Sequence, residues 1–169
     1  MFKCGELIVY GNNGVCRIEE ITTLNSDTAD KGRLYYVLKN LTSNGIAYIP
    51  VDSNVYMRHV MSRIEADQLI DKIPLIDTSC FDKVSPRELQ KVYRDVLLSH
   101  NSELTVSLIK HILRTERLKQ IQKKKLSATE ERYLEQAIKI IGSEFATALN
   151  IDFSEVKQYI LNRIGTENM

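Results

Sequence analysis

The 169-residue chain is 43% hydrophobic and 27% charged, with a formal net charge of +1, the balance of an ordinary soluble globular protein. No apolar run approaches the roughly 18–20 residues that cross a bilayer. The opening MFKCGELIVY breaks at Gly5-Glu6 where a secretory signal needs a long apolar stretch, so a cytoplasmic protein without membrane contact is expected.

Up to about residue 60 the pattern alternates with a period near two. ELIVY (6–10), GVCRIEEI (14–21), RLYYVLKN (33–40), GIAYIP (45–50) and NVYMRHV (54–60) are short and rich in Val, Ile and Tyr, as strands are. They are separated by GNNG, the polar loop TLNSDTADKG with Asp27 and Asp30, TSNG and PVDS. Asn12, Asn13 and Asn44-Gly45 tolerate the positive φ of tight hairpins. Five short strands on such turns predict a small, strongly bent sheet or barrel.

After residue 62 the period changes to three or four. Ser62-Arg-Ile-Glu65, Ser85-Pro-Arg-Glu88 and Ser127-Ala-Thr-Glu130 have the spacing of capping boxes, and Asp152-Phe-Ser-Glu155 resembles one. The spacing predicts helices near 63–73, 86–99, 103–124, 128–149 and 153–164, with Asn150 and Gly165 as C-terminal stops. The fold class is therefore α+β, a small β-barrel followed by a compact helical bundle. The expected divisions are a β domain over 1–62, a linking helix and hinge over 63–85, and a helical domain over 86–169.

Chemistry-bearing motifs are scarce. No nucleophile elbow, P-loop or dinucleotide fingerprint occurs. Cys4, Cys16 and Cys80 form no C-x-x-C pair, and His59, His100 and His111 lack a second ligand at metal spacing. No catalysis, metal or cofactor is expected. Charge is more informative. Residues 1–80 carry 8 Lys+Arg against 10 Asp+Glu, and residues 81–169 carry 15 against 12. The run from Lys110 to Lys125 holds Lys110, Arg114, Arg117, Lys119, Lys123, Lys124 and Lys125 against one acid, Glu116. On a helix, 110, 114, 117 and 124 fall near one stripe. That is either a solvated face whose lysines favour a helix C-terminus or a ridge that meets phosphates. Arg87, Lys91 and Arg94 make a second basic face at helical spacing. The first half lacks interleaved basic and aromatic residues, so protein contact through a sheet edge is the better expectation there.

The order of parts resembles the CarD-like transcription regulators, whose amino-terminal module is shared with the transcription-repair coupling factor. The resemblance is carried by Gly5-Glu6, Val9-Tyr10 and Gly14-Val15, by YYVLK (Tyr35 to Lys39), by Ile49 to Asp52, and by Leu126 to Ala137 with Arg132, Leu134 and Ala137 in place. It implies a Tudor-like β module that docks by a strand edge on the RNA polymerase β subunit. It also implies a helical module that contacts promoter DNA, through minor groove and phosphates, and holds the open complex. Carried over, the polymerase contact falls on Thr23, Leu24, Ile46, Ala47, Tyr48 and Ile49, with Tyr48 where relatives often have arginine. The DNA contact carried over falls on Leu89, Lys91 and Arg94; the basic spacing adds Arg87, and Lys110, Arg114, Arg117, Lys123, Lys124 and Lys125 as a second ridge. Many relatives place a tryptophan wedge at the register of Leu89. This chain has no tryptophan, so Leu89 is the candidate wedge and Phe81 the runner-up. The module is expected to act as a monomer. The competing reading is a protein–protein adaptor on the polymerase whose lysine run is solvated surface.

Overall fold

The computed structural model describes residues 1–24 and 32–164. Asp27, Asp30 and the expected stop at Gly165 lie outside them. The chain divides into two units, Met1–Val60 and Met61–Met169, and the fold is α+β, a Tudor-like β domain followed by helices.

The first unit is one antiparallel sheet of β1 (Leu7–Tyr10), β2 (Val15–Thr23), β3 (Leu34–Asn40), β4 (Ile46–Pro50) and β5 (Met57–His59). The order is β4-β3-β2-β1-β5, so β4 and β5 are the edges. All five strands contribute to one core around Ile8, Cys16, Ile18, Tyr36 and Leu38, with Ile49 of β4 and Met57 of β5 packed against it. A five-stranded sheet reaches one core from both edges by curling. A bulge helps it. The β2–β3 register runs Ile18↔Leu38 and then Glu20↔Val37, which leaves Glu19 over and bends β2. The Cys4 thiol donates to the Glu19 carbonyl at 2.7 Å.

Two hairpin ends meet at Asn40, which is buried. Its amide donates to the Asn13 carbonyl at 2.6 Å, while its oxygen accepts from the Thr42 and Ser43 amides at 2.9 and 2.8 Å. Gly14 (φ +81°) and Asn44 (φ +55°) take the left-handed conformations that these turns require.

The second unit holds α1 (Arg63–Lys72), the single turn α2 (Ser79–Asp82), α3 (Pro86–Leu98), α4 (Ser102–Ile121), α5 (Ala128–Leu149) and α6 (Val156–Ile164). The capping boxes at Ser62–Glu65 and Ser127–Glu130 form. At Ser85 the hydroxyl instead donates to the Glu88 carboxylate at 2.6 Å, and no cap to the backbone forms. Asn150 is left-handed and closes α5, with the Ile151 amide donating to the Ala146 carbonyl at 3.0 Å.

Two differences from the expected pattern have physical causes. Residues 63–85, expected as a linking helix and hinge, are built into the helical unit. Ala66, Leu69, Ile70 and Ile73 join one core with α4, α5 and α6, and Phe81 joins a second with α3, α4 and α5. The helix expected to reach residue 124 ends at Ile121. Lys123 is left-handed (φ +55°), its amide donates to the Gln120 carbonyl, and the Lys124 amide donates to that of Lys119 at 2.8 Å. That is a Schellman closure with lysine where glycine is usual.

Candidate functional site

The β unit presents a strand edge. β4 pairs with β3 along Tyr35↔Pro50, Tyr36↔Ile49, Val37↔Tyr48, Leu38↔Ala47 and Lys39↔Ile46. Its other side has no partner strand among the described residues. Alternation then sorts the expected contact residues. Ala47 and Ile49 turn inward against the core, whereas Ile46 is 61% and Tyr48 53% exposed. Tyr48 stands opposite Val37 on the outer face, so an aromatic and aliphatic strip runs beside a row of unpaired backbone groups. Such an edge can pair with an incoming strand and read its side chains through the outward residues. Thr23 ends β2 opposite Leu34, and Leu24 follows it. β3 separates these two from β4.

In the helical unit, α3 carries the clearest polar face. Leu89, Val92, Tyr93, Val96 and Leu97 bury its apolar side. Arg87, Lys91 and Arg94 lie four and three residues apart on the opposite side, all exposed. Arg94 has only a loose contact with Asp95, at 3.7 Å. Leu98, four residues after Arg94, continues the same stripe and is 56% exposed. An apolar side chain at the end of three cations is the feature that sequence reasoning missed. The signal is present in the sequence, because 87, 91, 94 and 98 share one helical face.

The two candidate wedges sit otherwise. Leu89 is half-buried against the second core. Phe81 is 3% exposed and stacked on His111 with ring centroids 4.7 Å apart, so it has no free face to insert into a groove.

The basic run of α4 is divided by the fold. The Lys110 ammonium donates to the carbonyls of Ile73, Pro74 and Ile76 at 2.9, 2.9 and 3.0 Å. It stabilises the C-terminal end of α1 and the turn after it. Burial, then the neighbouring Arg114, lowers its pKa, and Asp77 partly opposes them. Arg114 reaches Asp82 at 2.6 Å and Thr78 at 3.2 Å and so ties down α2. Lys119 pairs with Glu130. Burial would raise the Glu130 carboxyl, but hydrogen bonds from Lys119 and from the Ser127 amide and hydroxyl hold it below its ordinary value. Within the expected ridge, the Lys110 ammonium is turned to backbone carbonyls of its own unit. Arg117 and Lys123 to Lys125 are exposed, the three lysines in the turn beyond α4.

Beside α3 lies a buried polar group. His111 Nε2 is 3.1 Å from the Tyr93 hydroxyl, and its Nδ1 has no hydrogen bond, the nearest carboxylate being Asp82 at 3.8 Å. Burial lowers the His111 pKa, Asp82 raises it, Arg114 lowers it and Glu130 raises it, for a net decrease. A neutral imidazole packed against Phe81 and Tyr93 is a core group. Among the described residues, no three His, Cys, Asp or Glu side chains converge as a metal site, and no helix is long and apolar enough to cross a membrane.

Comparison with known proteins adds two findings. The family model described as CarD-like/TRCF RID domain matches residues 2–61, which is the β unit. The model described as CarD, C-terminal domain matches residues 109–161, from α4 into α6. Together they cover about two thirds of the chain. Residues 62–108, with α3, lie outside both. No individual curated protein matches the chain.

Proposed function

The chain belongs to the CarD-like family, non-enzymatic, transcription-associated factors that interact with RNA polymerase, and from that premise we propose how it divides the work. The β unit adds the β4 edge to the polymerase β subunit, with Tyr48 and Ile46 outward as the side chains that are read. The helical unit lays α3 on promoter DNA. Arg87, Lys91 and Arg94 meet phosphates, with Arg117 and Lys123 to Lys125 as further cations. Leu98, rather than Leu89 or Phe81, supplies an apolar contact to the minor groove, a use to which leucine is suited. The result is a longer-lived open complex. The protein works in the cytoplasm as a single copy.

The observation that carries this reading is the outward stripe of α3, three exposed cations followed by an exposed leucine. So few cations give weak, salt-sensitive binding to free DNA. Docking on the polymerase raises the effective concentration of the second contact, so weak binding is sufficient. The test is charge reversal of Arg87, Lys91 and Arg94 together, with polymerase binding and promoter footprint measured on the same variant. The proposal requires polymerase binding to persist and the DNA footprint to vanish. An unchanged footprint would overturn it.

A second reading, the adaptor without DNA contact, is favoured by one observation. Lys110, Arg114 and Lys119 spend their charges inside the helical unit, so the basic run is less of a phosphate ridge than its composition promises. The same footprint decides between the two.

A further inference from the structure

The helical unit contains a cavity that neither proposed interface uses. It measures about 280 Å³ and lies between α4, α5, α6 and the turn Phe153–Glu155. Its walls are almost entirely hydrocarbon, among them Val106, Leu113, Ile138, Ile141, Phe145 and Ile160. Gly142 shapes one side. The Phe153 ring lies so close that a Cβ at Gly142 would stand 2.8 Å from it. The glycine thus lets an aromatic ring close down on α5, and Phe153 is itself part-exposed at the rim.

Charge in the lining is one-sided. No carboxylate contributes, and the two ionisable residues are Lys110 and Lys157. The Lys110 ammonium is consumed by three carbonyls, so only its stem serves as wall. Lys157 lies on the first turn of α6 and is exposed, and its ammonium has no ion pair or hydrogen bond among the described residues. A hydrocarbon interior with one free cation at the rim complements a particular ligand shape, an aliphatic chain ending in a single negative charge.

We propose that this cavity binds a free, unbranched fatty carboxylate, its chain among the α4, α5 and α6 side chains and its head group on Lys157. An apolar cavity of about 150 Å³ takes a benzene ring, so this volume accommodates a chain of about ten carbons by the same scale. Each methylene that enters tightens binding about fourfold, until the cavity is full.

The experiment is calorimetric titration of the full chain with sodium hexanoate, octanoate, decanoate and dodecanoate, each below its micelle concentration. The expected result is saturable one-to-one binding that strengthens to about decanoate and then levels. Decanol should bind at least several-fold more weakly than decanoate, and Lys157→Gln should remove that difference. Ile138→Trp, at the part-exposed rim, should abolish binding while leaving the unfolding midpoint close to wild type. Absence of saturable binding overturns the site. So does binding that ignores Ile138→Trp, which would mark non-specific detergent-like adsorption. Equal affinity for decanol and decanoate overturns the carboxylate assignment. Because promoter footprinting does not enter these titrations, the result stands apart from the fate of the DNA-binding proposal.

Discussion

Lys110 carries a charge that the sequence displays but whose neighbours it does not. Its spacing places it on a basic stripe, but a stripe says only which residues share a face, not what faces them. The Lys110 ammonium donates to the carbonyls of Ile73, Pro74 and Ile76, of which Ile73 also accepts from the Ile76 amide, and so supports the end of α1 and the turn after it. Lys110→Met keeps the stem and removes the donor. It should lower unfolding free energy by about 1–2 kcal/mol in urea titration and leave DNA affinity, measured at a pH and temperature where the variant is folded, close to wild type. His111 gives a second prediction at this scale. Its folded pKa is depressed below the ordinary 6.5, so the unfolded chain binds the proton more readily. The resulting stability is fully present above about pH 6.5 and is lost as pH falls from there through the folded value. Urea midpoints from pH 8 to 5 should show that decline. His111→Gln, which keeps a polar partner for Tyr93, should flatten it. In the sequence His111 is one of three scattered histidines with no second ligand at metal spacing. Its burial against Phe81 and Tyr93 depends on α2, a single turn too short to leave a periodic signal.

Most helices and all five strands announce themselves in the sequence. Period-two alternation places β1 to β5, and Ser62–Glu65 and Ser127–Glu130 mark helix starts that form as written. The end of α4 was illegible for a definite reason. No glycine or proline interrupts Lys119 to Lys125, and the helix closes on a left-handed lysine instead. Lys123→Gly relieves the Cβ conflict at that φ. It should raise stability by about 0.5–1 kcal/mol, visible as a higher urea midpoint with an unchanged slope. The same geometry takes Lys123 to Lys125 off the helical face on which sequence spacing had put Lys124. α3 is the opposite case. Its boundaries and its basic face follow from Ser85-Pro86 and from the spacing of Arg87, Lys91 and Arg94. What the sequence left open was which leucine points outward. Leu89 and Leu98 are equally apolar in composition, but they stand nearly opposite one another around the helix, and only Leu98 shares the cations' side.

The chain divides between Val60 and Met61, near the residue where the period of the sequence changes. Each unit has its own core, and the β core draws on all five strands. The helical unit has two cores that share α4 and α5, an arrangement hidden from any linear pattern because both helices are apolar on more than one side. The chain crosses into the helical unit at Met61, whose amide donates to the buried Glu144 carboxylate at 3.0 Å, a contact 83 residues apart in sequence. Membership of the family explains the polymerase as partner. The proposed division of labour gives the polymerase an edge strand and DNA the α3 stripe.

That division is tested most directly by open-complex lifetime on a single promoter with cognate polymerase, comparing no factor, wild type, Leu89→Ala and Leu98→Ala at saturating factor. Wild type should lengthen the lifetime, Leu98→Ala should lose that gain, and Leu89→Ala should retain it at temperatures well below its unfolding midpoint. Polymerase that binds wild type with no change in lifetime, or a lifetime gain that survives Leu98→Ala, would contradict that division.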